Sequence, residues 1–247
     1  MLKLFYAVGT CALASHIALE EAGAKYETVR LNFAEGDQRK PEYLKVNPKG
    51  RVPALITDRG ILTETPAILA YIAQLYPKVN LAPFDEPFAF ARVQAFNSYL
   101  CSTAHVNHAH LGRGARWADE PTSLEDMKRK VPKNVTESFT LMEREMVEGP
   151  WVMGNTYTIC DPYLFTLEGW LPRDTVDIKQ FPRIAEHNRR MMERPAVKKV
   201  MAAPSVRLKL CGQRQMPASD EGRPVAGWPA QAHCRRRTER RATPPTW

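Results

Sequence analysis

The amino-terminal stretch Lys3-Leu-Phe-Tyr-Ala-Val-Gly-Thr-Cys-Ala-Leu-Ala-Ser-His16 sets the architecture of the chain. Its first half alternates and is apolar, which predicts a strand over residues 3–7 that ends in a turn at Gly9-Thr10. Its second half opens a run of helix formers, which predicts a helix over Ala12–Glu21. Residues 26–31 are rich in β-branched and aromatic side chains and predict a second strand. A β-α-β opening of this length joins two parallel strands through a helix.

A hairpin and a second helix extend this opening. Residues 52–57 predict a third strand, and Asp58-Arg59-Gly60 indicates a tight turn that returns the chain through residues 61–63. Thr65-Pro66 then begins a helix that runs to Leu75, because threonine is a good N-cap and proline suits the first helical turn. The order β-α-β followed by β-β-α predicts a thioredoxin-like sheet.

The second half of the chain is predicted to be helical throughout. Apolar residues recur there at spacings of three and four, over residues 88–110, 124–147, 161–171, 181–193 and 195–201. Thr158 and Asp161 have the spacing of a capping box, so Asp161 is expected to support helix folding rather than chemistry. The predicted fold is an α/β thioredoxin-like domain over residues 1–82 and an all-α domain over 87–203.

Residues 204–247 differ in composition from the rest of the chain. They contain six prolines and nine Lys/Arg against three acidic residues, and they show no periodicity, so we expect a disordered basic tail. The tail carries +6 of the net charge of +8, and the remaining +2 gives no reason to propose nucleic-acid binding. A basic arm that binds nucleic acid or lipid is the less favoured alternative.

The cysteines and the apolar runs bear on location. Five cysteines, an odd number without framework spacing, fit a reducing compartment and hence the cytoplasm. No apolar run is long enough to span a bilayer, and the amino terminus lacks the pattern of a signal peptide. We therefore expect neither a membrane nor a nucleic acid as partner.

Four stretches together resemble the glutathione transferase family, and its bacterial beta class in particular. They are residues 3–16 as quoted, Val46-Asn-Pro-Lys-Gly-Arg-Val-Pro-Ala-Leu55, Leu62-Thr-Glu-Thr-Pro-Ala-Ile68 and Tyr157-Thr-Ile-Cys-Asp-Pro-Tyr-Leu-Phe165. The resemblance covers about residues 1–203. It implies glutathione as co-substrate, no metal, a homodimer, and a small apolar electrophile as second substrate.

Cys11 is the first candidate catalytic residue. It lies at the predicted amino terminus of a helix, where unpaired N–H groups favour an anion and lower the pKa of a neighbouring thiol. By the resemblance it faces the glutathione sulfur; the alternative is an inert buried cysteine. Residue 14 is alanine, so the chain has no Cys-x-x-Cys motif. Tyr6 and Ser15 are weaker hydroxyl candidates, expected to pack.

The remaining candidates in the first domain are implied by the resemblance. Val52-Pro53 resembles the family's cis-proline turn, whose backbone pairs with the cysteinyl part of glutathione. Glu64 and Thr65 would hold the ammonium and carboxylate of the γ-glutamyl end, with simple helix capping as the alternative. Gln38, Arg39 or Lys40 would reach the glycyl carboxylate, and the sequence does not choose among these three.

His105 is the candidate from the second domain. By the resemblance it reaches toward the glutathione thiol, although Val106 and Ser98 depart from the family's lysine and asparagine. A metal site at His105 and His108 is disfavoured, because no acidic or cysteine cluster completes it. Trp117 and Trp170 are expected near the electrophile.

Three functions remain open on these grounds. The leading hypothesis is transfer of glutathione to an electrophile. The second is a glutathione-dependent thiol-disulfide reductase or peroxidase working through Cys11, and the third is a non-catalytic ligand-binding protein. The fold alone does not choose among them.

Overall fold

The computed structural model describes residues 1–203, and a four-stranded sheet forms its amino-terminal part. The strands are β1 (Leu2–Tyr6), β2 (Tyr26–Arg30), β3 (Ala54–Thr57) and β4 (Gly60–Thr63). Their order is β2-β1-β3-β4, with β1 and β2 parallel and the other pairs antiparallel. The predicted thioredoxin-like sheet is confirmed.

Two helices pack against this sheet. Both α1 (Ala12–Glu21) and α3 (Thr65–Leu75) have the predicted bounds. Between them, α2 (Pro41–Leu44) follows two single turns of 3-10 helix, Phe33–Glu35 and Asp37–Arg39, where the sequence predicts only a polar loop. Acidic side chains hold these short turns, since Asp37 accepts a hydrogen bond from the Asn32 N–H at 2.7 Å.

The third strand begins two residues later than predicted. The Val52-Pro53 peptide bond is cis, and the ladder with β1 starts only at Ala54. Proline lacks the N–H that a ladder position requires, so the strand begins after it. Val52 and Pro53 are thereby left outside the sheet's ladder and next to the turn that precedes α1.

The rest of the described chain is helical, as predicted. Its helices are α4 (Pro87–Tyr99), α5 (His105–Arg113), α6 (Pro121–Leu141), α7 (Cys160–Glu168), α8 (Pro182–Glu193) and α9 (Pro195–Ala202). The helix predicted over 88–110 is interrupted by a π-helical turn, Leu100–Ala104, and a second π turn, Met142–Met146, extends α6. π turns are frequently found at functional sites, and the first one directly precedes His105.

A continuous apolar core joins the sheet to the helices. Helix α1 contacts α3, α7 and α9, and its Ile17 and Leu19 are fully buried. Leu164 of α7 is buried in the same cluster. Helix α1 therefore joins the sheet part to the helical part, and Cys11 lies at its amino terminus.

The Asp161 half of the predicted capping box at the start of α7 is present, whereas the Asp161 N–H donates to the Thr158 backbone oxygen instead of its side chain. The Asp161 carboxylate accepts from the Thr158 N–H at 2.6 Å, and the Thr158 hydroxyl accepts from the Cys160 N–H at 3.3 Å. Asp161 is fully buried and far from solvent. Its role is structural, as the spacing indicates.

The domain boundary between residues 82 and 87 stays a prediction, since contacts group all the described residues into one unit. The tail predicted over 204–247 lies outside the described residues. No helix within 1–203 is both long enough and apolar enough to cross a membrane.

Candidate active site

A cavity of about 580 Å³ lies between the sheet part and helix α5. Most of the residues that the sequence analysis proposes for catalysis or glutathione binding line this cavity: Cys11, Gln38, Arg39, Val52, Pro53, Glu64, Thr65 and His105. Trp117 and Trp170, expected near the electrophile, also line it. Tyr6 and Ser15 do not; both are buried in the core.

Cys11 occupies the N-cap position of α1. Its thiol donates a hydrogen bond to the Val52 carbonyl oxygen at 3.4 Å. Burial raises the pKa of this thiol and outweighs the Thr65 hydroxyl and the Arg113 charge, which lower it. The predicted depressed pKa is therefore wrong: the helix terminus favours a thiolate, but desolvation costs more.

Val52 presents its backbone to the cavity. Its carbonyl already accepts from the Cys11 thiol, and within residues 1–203 its N–H donates to no acceptor. An extended peptide that pairs with Val52 would satisfy this donor and displace the thiol from the carbonyl. The edge is thus suited to the backbone pairing that the sequence predicts.

Glu64 and Thr65 mark the amino terminus of α3. Glu64 adopts φ of 71° and ψ of 123°, an unusual conformation for a non-glycine residue that points to a functional constraint. Its exposed carboxylate accepts from Lys49 Nζ. Thr65 is buried beside Cys11. The carboxylate predicted to bind an ammonium group therefore already binds one, from this chain.

The polar loop supplies two of its three candidates. Gln38 and Arg39 line the cavity, whereas Lys40 does not and pairs with Asp37 at 2.6 Å. The Gln38 Oε1 atom is buried and has no hydrogen-bond partner within the described part of the chain. An unpaired buried oxygen of this kind calls for a donor.

His105 begins α5 and packs on Trp170, with ring centroids 4.8 Å apart. Burial, together with the smaller effects of the neighbouring His108 and Arg113, lowers the pKa of His105 to about 3. His105 is therefore neutral at physiological pH. A neutral imidazole can donate one hydrogen bond into the cavity without carrying a charge.

His108 contacts two neighbouring side chains. Its ring stacks on Trp170 at 4.4 Å, and its Nδ1 donates to the Asp174 carboxylate at 2.7 Å. Among residues 1–203, no three potential ligands of the His, Cys, Asp or Glu types cluster around a common point. Val106 and Ser98 stand where the family has a lysine and an asparagine. Val106 lines the cavity, whereas Ser98 does not.

The sequence interpretation missed a set of cavity arginines. Besides Arg39 these are Arg51, Arg113, Arg116 and Arg173. A signal was present: residues 105, 109, 112, 113 and 116 follow the three-and-four spacing of one helical face. The weak net charge of residues 1–203 hid this local concentration.

Comparisons with known proteins agree with this geometry. The family described as Glutathione S-transferase, N-terminal domain, matches residues 1–74. Glutathione S-transferase GstA of Escherichia coli O157:H7 is 32% identical over 205 residues, 82% of this chain and 98% of that protein.

Solved structures extend the match across both parts of the fold. A glutathione transferase homolog from Sulfitobacter with bound glutathione is 42% identical with a TM-score of 0.81, over 83% of this chain and 99% of that one. A beta-class glutathione S-transferase from Sphingomonas chungbukensis is 33% identical with a TM-score of 0.70, over 80% and 96%.

A thioredoxin-like sheet, a helical second half and a cavity between them define the architecture of a glutathione-dependent transferase. The chain belongs to the glutathione S-transferase family. Its assignment to the beta class within that family stays a prediction.

Proposed function

We propose that the protein conjugates glutathione to small electrophiles with an apolar body. The observation that carries this is the convergence on one cavity of the Cys11 thiol, the amino terminus of α3 and a Val52 N–H that has no acceptor within residues 1–203. In the reaction the glutathione thiolate attacks an electrophilic carbon. A carbon–sulfur bond forms, the leaving group departs with its electron pair, and the thiol proton passes to solvent.

Glutathione would be held by its backbone and its two ends. Its cysteinyl amide would pair with Val52 as a short added strand. Its γ-glutamyl carboxylate would meet Thr65 and the α3 terminus, and its ammonium group would compete with Lys49 for Glu64. The glycyl carboxylate would lie against the Gln38 amide and the Arg39 guanidinium.

The state of Cys11 favours conjugation over a covalent role for this residue. A thiol with a raised pKa stays protonated and can donate a hydrogen bond, which stabilises a glutathione thiolate. The α1 terminus and the Arg113 charge would add to this stabilisation. A reductase working through Cys11 requires the thiolate instead, so it ranks second.

The test is glutathione-dependent turnover of 1-chloro-2,4-dinitrobenzene and of a mixed disulfide, with glutathione binding measured by calorimetry. We expect turnover of the aryl chloride, with the Thr65→Val variant losing about tenfold in glutathione affinity through one hydrogen bond to a charged group. Thr140→Val, on α6 and outside this cavity, is the matched control. Turnover of the disulfide alone, abolished by Cys11→Ala, would support the reductase; absence of glutathione binding would reject both.

The proposal includes a homodimer. The long helices α4 and α6 keep Phe88 and Leu141 exposed, at 73% and 44% of their surface, and large apolar side chains of this kind suit a symmetric interface. Light scattering at micromolar concentration is expected to give twice the chain mass, and a monomer mass would contradict it.

A cytoplasmic location is also proposed. Cys11 and Cys101 line the cavity as free thiols, which persist in a reducing compartment.

A further inference from the structure

The cavity that would hold glutathione is strongly positive. Its lining contains five arginines and one glutamate, so with histidines counted as uncharged its net charge is +4. The one acidic side chain, Glu64, already pairs with Lys49. The Asp174 carboxylate accepts a hydrogen bond from the His108 ring and does not line the cavity, so it is not counted in this charge.

The arginines have no carboxylate partners within the described part of the chain. None of Arg39, Arg51, Arg113, Arg116 or Arg173 is within ion-pair distance of an acidic group among residues 1–203. Burial, followed by the positive charges of Arg51 and Arg113, lowers the pKa of Arg116, so these cations feel one another. Unpaired like charges that converge on one cavity favour an anionic ligand.

Glutathione by itself does not balance this charge. As a thiolate it carries two carboxylates, one thiolate and one ammonium group, a net charge of about −2 at neutral pH. About two positive charges therefore remain once it is bound. The second substrate is the remaining ligand of this cavity in the proposed reaction.

The surplus charge is on the helical side, next to the expected reaction centre. Arg113 ends α5, and its charge acts on the Cys11 thiol. The Arg173 guanidinium lies over Gly112, the neighbour of Arg113, where a Cβ would meet its Nη2 at 3.3 Å. Trp117 and Trp170 also line the cavity, and their rings pack against histidines of α5. Arg39, by contrast, belongs to the loop on the sheet side.

We propose that the second-substrate half of this cavity selects electrophiles that carry a carboxylate, held by Arg113 and Arg173 while the apolar body packs on Trp117 and Trp170. Arginine suits this task because its planar guanidinium binds a carboxylate through two parallel hydrogen bonds. The inference rests on the proposed function, because it assumes glutathione in the other half. The inference restricts the proposed second substrate to electrophiles that have an apolar body and a carboxylate.

The test compares an anionic and a neutral ligand of the same shape by calorimetry: 4-nitrobenzoate and nitrobenzene, titrated into the full chain saturated with unreactive S-methylglutathione. We expect 4-nitrobenzoate to bind at least about tenfold more tightly, as for one charge-assisted contact. Arg113→Gln, alone and with Arg173→Gln, should remove this preference. Both arginines are exposed, so the variants are expected to fold, which a thermal melt checks.

Two further variants distinguish a direct contact between Arg113 and the carboxylate from a general effect of the cavity's positive charge. Arg39→Gln should weaken S-methylglutathione more than 4-nitrobenzoate, whereas Arg113→Gln should do the reverse. Arg59→Gln, in the exposed turn between β3 and β4, should change neither. Equal losses from Arg39→Gln and Arg113→Gln, or equal binding of the two nitroarenes, would overturn the inference.

The proposed function fails separately. If S-methylglutathione does not bind, glutathione is not the co-substrate, and the preference for 4-nitrobenzoate is then measured on the free protein. A preference that Arg113→Gln removes would still support an anion site at these arginines.

Discussion

Desolvation is the largest influence on the pKa values of Cys11 and His105, the two side chains expected to face the glutathione sulfur. Cys11 and His105 carry groups whose charged forms lose hydration on burial, and in both the neutral form wins. The positive charge of the cavity comes instead from arginines, which remain charged at any accessible pH. Two neutral hydrogen-bond donors, Cys11 and His105, in a cavity lined by arginines are suited to stabilise an anionic group of a bound ligand.

Cys11 should alkylate slowly at neutral pH. Because burial raises its pKa, the midpoint of its reaction with iodoacetamide should lie above the value of about 8.5 for a free cysteine. Mass spectrometry resolves Cys11 from Cys101, whose pKa burial also raises. A Cys11 midpoint below neutrality would restore the thiolate interpretation and with it the reductase.

His105 should stay neutral across the physiological range. Its folded pKa of about 3 lies below the ordinary 6.5, so the stability that its burial contributes is present above 6.5 and lost as pH falls toward 3. The ring resonances of His105, assigned by comparison with His105→Gln, should not shift between pH 8 and 5. Titration near pH 6.5 would contradict this.

At the scale of elements, the start of α7 organises the helical half. Asp161 accepts from the Thr158 N–H and from the Val152 N–H at 2.8 Å, and it lies 3.2 Å from His187 Nε2. A single buried carboxylate thus joins the helix start, the preceding loop and α8. Helix α5 has a different task, since it carries the cavity-lining side chains His105, His108 and Arg113.

Asp161→Ala should destabilise the protein strongly. It leaves two buried N–H groups unpaired and His187 without one of its partners, a loss of about 3 to 5 kcal/mol. Urea unfolding measures it, and Asp126→Ala, whose carboxylate forms an exposed pair with Arg129, is the control. A loss no larger than that of the control would contradict the structural role.

The contact between α7 and α8 should depend on pH. Burial alone would lower the pKa of His187, but Glu168 and Asp161 outweigh it and raise the pKa to about 10. A raised folded pKa contributes stability that is complete below the unfolded value of 6.5 and is lost as pH rises through 10.

Urea unfolding between pH 7 and 10 tests this. The free energy of unfolding should fall over this range in the wild type, and His187→Gln should remove most of that slope. Parallel pH dependences in the two proteins would show that His187 is not the group responsible.

At the scale of the whole molecule, Arg194 forms a salt bridge that links the helical half to the sheet half. Arg194, between α8 and α9, donates from Nη2 to Glu21 of α1 at 2.7 Å. Its guanidinium carbon lies 3.7 Å from the Tyr157 ring centroid. Since Glu21 is the last residue of α1, this contact joins the carboxyl-terminal end of that helix to the helical half.

Arg194→Ala should lower the free energy of unfolding by about 1 to 3 kcal/mol, through the lost paired hydrogen bonds and the lost ring contact. Arg189→Ala, whose exposed partners Glu186 and Glu193 are on its own helix, should change little. Thermal unfolding of both variants decides, and equal effects would contradict the assignment.

Local patterns predicted most of the strands and helices, although not α2 or the π turn that separates α4 from α5. The bounds of α1 and α3 follow from caps, helix formers and proline punctuation, all of which act within a few residues. The capping box of Asp161 is local in the same way. The resemblance of four ordered motifs then predicted that Cys11, Val52 and Glu64 lie at one site, and the structure places all three in the same cavity. The order of the strands and helices explains this, because it brings the turns that carry these residues to one end of the sheet.

The tertiary structure alone decided the protonation of Cys11 and the charge of the cavity. A cysteine pKa depends on how much water its neighbours exclude, and the neighbours of Cys11 include Val52 before β3, Thr65 of α3 and Arg113 of α5, which are far apart in sequence. The arginine cluster likewise joins a sheet-side loop, the end of α5 and the segment after α7, so its members look like ordinary surface residues along the chain. Electrostatic energy depends on distances in space, and only the folded chain supplies them.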